Sequence, residues 1–171
     1  YEKLQFGDTP LGWDIGGEEK IITQLKRDNF IQYVDSLYSP ENMSLVFAGR
    51  LPKDIKKLAE QYFLNLPKRS QHKPKSYKKQ KQLKPKINTF FKKTDQANLI
   101  LGVEGYSRYD EKRYAATLLG TILGEGMSSR LFIQVRERRG FAYHVSAGPG
   151  FYMDTGNFAV YAGLKLEKVY E

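Results

Sequence analysis

The chain of 171 residues contains no cysteine. That excludes disulfides, thiolate metal sites and cysteine nucleophiles within it, and it is compatible with the cytosol or any other compartment. Histidine is nearly as scarce, with only His72 and His144 present. Neither lies in H-E-x-x-H or H-x-x-E-H, the spacings that set two imidazoles and a carboxylate on one helical face for zinc. No apolar run approaches the roughly 18–20 residues that span a bilayer. No charged-then-apolar leader opens the sequence. The first residue is Tyr1 rather than Met, so the native start is expected upstream and the compartment is left open.

What is present is globular in kind. Hydrophobic residues make up 40% and aromatics 13%, enough to build a core. The formal charge of +9 is concentrated in one stretch. Pro67–Lys86 holds nine Lys or Arg and no acid, leaving 19 basic residues elsewhere to face 19 acidic ones. With three prolines and one aromatic residue, it reads as a solvated linker rather than a nucleic-acid or membrane-surface patch. A binding stripe would interleave basic residues with stacking aromatics.

Before the linker, Glu18–Leu25 can form a short helix. Phe30, Ile31, Val34, Leu37 and Tyr38 recur at helical spacing, and Ser39-Pro40 stops that helix. Ser44–Ala48 reads as a buried strand. Pro52 suits the first turn of a helix striped by Ile55, Leu58, Ala59, Tyr62 and Phe63. After the linker, Ile87–Phe91 is β-prone and Ala97–Val103 alternates with a strand period. Asp110 can cap a helix with Tyr114, Ala115, Leu118, Leu119, Ile122 and Leu123 on one face, broken by Gly124 and Gly126. A further helix, capped by Ser128 or Ser129, turns Leu131, Phe132 and Val135 inward and stops at Gly140. Strands at about Phe141–Tyr152 and Asn157–Leu164 flank a turn at Asp154-Thr155-Gly156. The pattern predicts an α+β layer structure on a largely antiparallel sheet. Gly124-x-Gly126 lacks the lysine of a phosphate loop, and Ser128 and Ser129 do not stand in G-x-S-x-G. Read from the residues alone, His144 is an ordinary strand residue and His72 a linker residue.

The stretch Leu123–Tyr143, LGEGMSSRLFIQVRERRGFAY, resembles the insulinase/pitrilysin zinc peptidases, which include the mitochondrial processing peptidases. Gly7–Ile21, Tyr38–Leu51 and Met153–Gly163 agree in the expected order. The resemblance implies two related α+β lobes, incomplete at both ends here. Residues 1–66 would be the rear of the first lobe, 67–86 the basic linker and 87–171 most of the second. It implies a zinc-dependent endopeptidase of peptides or unfolded segments as the full-length protein, with a second homologous domain or subunit as partner and no nucleic acid or membrane. The family's zinc ligands and its general-base glutamate would lie upstream of Tyr1, so no zinc is expected in this chain. Glu2, Glu18 and Glu19 are read as surface or helix-start charges. Arg136 and Tyr143 match an Arg and a Tyr that reach the active site from the second domain in clam-shaped members. There they can stabilise an oxyanion or hold the substrate backbone. The residues themselves also permit Arg136 a helix-end role and Tyr143 a core role. The resemblance equally covers family members that have lost zinc and serve as partner or structural subunits.

Overall fold

The computed structural model describes residues 1–68, 74–78 and 82–171. The chain divides into two compact units, Tyr1–Trp13 with Ser76–Glu171, and Asp14–Lys75. His72, and the linker residues 69–73 and 79–81, lie outside the described set.

The larger unit is an α+β layer structure. Its short helix α1 spans Glu2–Phe6. In the smaller unit α2 spans Glu19–Ile22, α3 Arg27–Leu37 and α4 Ile55–Phe63. The larger unit continues with β1 (Gln96–Glu104), α5 (Arg113–Gly124), a π-helical segment (Phe132–Glu137), β2 (Ala142–Phe151) and β3 (Gly156–Lys165). The three strands form one antiparallel sheet in the order β1-β3-β2. The Tyr152 N–H donates to the Thr155 carbonyl at 3.0 Å and closes the β2–β3 connection.

The register assigns side chains to faces, because successive residues of a strand point to opposite sides. On one face Ala142, Val145 and Leu164 form the core, packed by Leu131, Phe132, Val135, Val160 and Ala162. Helix α5 lies on this face too, with Gly120 and Gly124 against Gly148, Pro149 and Ala147 of β2. On the other face, α1 sits where Gly102 leaves room for the Tyr1 ring. Tyr1 also meets Tyr161 edge-on at 6.4 Å. Phe6, 2% exposed, stands edge-on to both Tyr152 and Tyr77. The Tyr77 N–H donates to the Asp154 carboxylate at 2.5 Å. The single aromatic residue of the basic stretch is therefore a packed anchor rather than a solvated side chain.

Burial pushes the Tyr1 phenol up to about 12 from its usual value. Nearby Tyr161, Tyr152 and Glu2 add to the effect. The folded state thus favours the neutral phenol, and the unfolded chain releases the proton first, near pH ~10. Its stabilising contribution is full below about pH 10 and is lost as pH rises toward about 12. Thermal melts at pH ~9 and ~11 should show a smaller alkaline loss of Tm in Tyr1→Phe than in wild type. An equal loss in both would show that Tyr1 does not set this dependence.

Three sequence expectations are corrected. Ser44–Ala48 forms no strand, and Val46 is 86% exposed. Ile87–Phe91 forms none either, with Ile87, Phe90 and Phe91 at 85–89% exposure. β-propensity becomes a strand only when a neighbour supplies a ladder, and no described segment pairs with either run. In α5 the expected apolar face is not the packed one. Ala116, Gly120 and Gly124 are buried, while Tyr114 and Leu118 are each 65% exposed. Small residues four apart let the helix backbone approach the sheet, and that proximity overrides the larger apolar stripe.

Candidate functional site

Arg136 lies in the π-helical segment. The Arg138 N–H donates to the Ile133 carbonyl, five residues back, at 2.9 Å, the bond that widens a helical turn. Such π turns occur mostly as single turns and frequently at functional sites. The chain leaves the segment through Gly140, whose φ of +61° falls in the left-handed region that a side chain resists. The Gly140 N–H donates to the Arg136 carbonyl at 3.1 Å, and the Phe141 N–H to the Val135 carbonyl at 3.0 Å. These bonds tie the start of β2 to the end of the helix. Phe132 and Val135 face the core, while Arg136 is exposed. Its guanidinium carbon lies 4.9 Å from the Phe132 ring centroid, a cation–π distance.

Tyr143 stands at an irregularity in β2. Ala142 opposes Leu164 and His144 opposes Gly163, so Tyr143 is the extra residue of a β-bulge. A bulge inserts one residue against the partner strand and re-aims side chains. Ala142 and Val145 are buried, and the two residues between them are both exposed. A regular strand would have sent one of the two inward. Tyr143 is 53% exposed and is not part of the core. The structure brings the backbones carrying Arg136 and Tyr143 together, and each side chain keeps its own surroundings.

His144, set aside in the sequence as an ordinary strand residue, shares the outward face with Tyr143. Its Nε2 lies 3.2 Å from the Ser146 hydroxyl. No sequence signal marks either irregularity, since the bulge and the π turn exist only once β2 is paired with β3. Among the described residues, no group of three or more His, Cys, Asp or Glu could hold a metal ion. The donors among the described residues do not fit a zinc site, and no chemical step through zinc is assigned to them. Also among the described residues, no helix is long and apolar enough to cross a membrane.

A family model described as "Peptidase M16 inactive domain" matches residues 24–171. A Streptomyces coelicolor protein named as an uncharacterized zinc protease is 33% identical over 179 residues, spanning 100% of this chain and 39% of its own length. A Rickettsia bellii protein of the same description is 38% identical over 177 residues, spanning 99% of this chain and 41% of its own length. The chain thus covers about two fifths of these relatives. A crystal structure of a peptidase M16 inactive domain from Pseudomonas fluorescens superposes with a TM-score of 0.81 at 26% identity, covering 97% of this chain and 40% of that one.

Proposed function

We propose, on the premise that this chain belongs to the peptidase M16 inactive-domain family, that it is the non-metal-bearing part of a zinc-dependent endopeptidase. In this reading the full-length protein cleaves peptides or unfolded segments. Residues 1–66 end a first lobe, 67–86 link, and 87–171 form most of a second. The chain supplies chamber wall and two substrate-facing groups, Arg136 and Tyr143, while a second homologous domain or subunit completes the chamber. Zinc is held by residues outside this chain.

The observation behind the reading is the pair of backbone irregularities, the π turn that carries Arg136 and the β-bulge that turns Tyr143 outward, joined through the Gly140 connection. A peptide carbonyl attacked by water becomes an oxyanion. A phenol O–H and a guanidinium N–H can each donate to that oxygen or to the substrate backbone, and donors fixed before the charge develops lower the barrier. An edge-bound, extended substrate would draw most of its affinity from main-chain hydrogen bonds, which gives loose sequence preference.

Purified full-length protein is expected to carry stoichiometric zinc and to cleave an unfolded polypeptide, with cleavage lost to a chelator. Zinc-free protein with no cleavage, co-purifying with a homologous subunit, would favour the second reading of a non-catalytic partner or structural subunit. The match to a family model described as an inactive domain is the observation behind that alternative.

A further inference from the structure

We propose that His144 is a specificity-determining residue that selects substrates with a carboxylate side chain close to the bond that Tyr143 attends. The inference rests on the function proposed above and deepens it. The bulge places Tyr143 and His144 side by side on the outward face of β2, where a regular strand would have turned one of them into the core. Ser146, two residues on and on the same face, stands 3.2 Å from the imidazole Nε2 and can hold the ring's rotation.

At the ladder positions nearest His144 this face carries neutral polar groups and one cation. Across the ladder His144 opposes Gly163, which is buried and offers a floor without a side chain. On β3 the flanking residues of this face are Tyr161 and Lys165. On β1 the opposed positions are Asn98, against Gly163, and Gln96, against Lys165. The acid of β1 on this face is Glu104, opposite Asn157 at the far end of the sheet. Helix α1 brings Glu2 near Tyr1 and Tyr152. The π-helical segment, with Arg136 and Glu137, packs through Phe132 and Val135 on the opposite face. His144 thus shares its face with Asn98, Gln96, Tyr161 and Lys165 at neighbouring ladder positions, and a substrate carboxylate is the complement. An imidazolium N–H donates to a carboxylate more strongly than a neutral ring donates to an amide.

The test uses full-length protein and two peptides that differ only in Glu or Gln next to the scissile bond. Wild type is expected to prefer the Glu peptide in kcat/KM by about three- to fivefold, the size that exposed ion pairs deliver. That preference should shrink as added salt screens the pairing. In His144→Gln the ratio should fall to near parity at every salt concentration, and Ser146→Ala should weaken it partially. A merely structural loss would lower both peptides together and leave the ratio. An unchanged ratio in His144→Gln, or a salt-independent ratio in wild type, overturns the proposal. In that event a loss of cleavage in Tyr143→Phe would leave the underlying function standing. Failure of the full-length protein to cleave either peptide would overturn both.

Discussion

Arg136→Ala or Tyr143→Phe in the full-length protein is expected to lower kcat by about 10²-fold or more, the cost of removing one preorganised oxyanion donor. The reason is electrostatic. A donor held in place matters most where charge appears during the reaction, so its loss falls on kcat rather than on KM. Both side chains are exposed on elements whose packing they do not share, since the core beside them is built from Phe132, Val135, Ala142 and Val145. The melting temperature of each variant should therefore stay close to that of wild type. Tyr143→Phe removes a single oxygen and keeps the ring, which makes it the cleaner of the two. Arg136→Ala also gives up the stacking on Phe132, so a small stability loss there is compatible with the proposal. Unchanged peptide cleavage in both variants would remove the assisting role.

Gly124→Ala should be strongly damaging to the packing of α5 on the sheet. A Cβ on Gly124 would overlap the backbone nitrogen of Ala147 and press on its Cα at 2.7 Å. Backbone cannot swing aside as a flexible side chain can, so α5 must lift off β2. Alanine gains roughly 1 kcal/mol over glycine in helix propensity. Overpacking costs typically ~1–3 kcal/mol and more where backbone must move, and the second effect wins. A net loss of about 2 kcal/mol or more corresponds to a fall in Tm of roughly 4–8 °C for a chain of this size. Gly120→Ala should be milder, since its nearest neighbours stand at 3.1 Å. Gly148→Ala is the control, because a Cβ there meets nothing within 4 Å and the expected shift is near zero. Equal melting temperatures for Gly124→Ala and Gly148→Ala would show that α5 does not lie so close.

Local patterns carried much of this fold because they depend on neighbours in sequence. The alternation through Ala97–Val103 became β1, and the segments flanking Asp154-Thr155-Gly156 became β2 and β3. Asp110 precedes α5 and accepts the Lys112 N–H at 2.9 Å, and α5 ends at Gly124. The misreadings share one cause. Ser44–Ala48 and Ile87–Phe91 have strand composition, but a strand needs a partner, and partnership is not a local property. In α5 hydrophobicity pointed to Tyr114 and Leu118, whereas the sheet took the residues small enough for backbone contact.

The candidate site divides in the same way. Arg136 and Tyr143 were legible by their resemblance to a motif, which is a matter of residue order. Their irregular backbones were not, because a π turn and a bulge arise from how β2 meets β3 and the preceding helix. His144 shows the difference most plainly. In the sequence it is one imidazole in an alternating run, and alternation would place it and Tyr143 on opposite faces. Composition, periodicity and motif order by themselves determined the α+β class, the helices and strands with ladder partners, and the family. Only the tertiary structure decided which face of α5 is buried, where Tyr77 anchors, and that Tyr143 and His144 stand together. Those outcomes depend on distances between segments far apart in the chain, which no local pattern encodes.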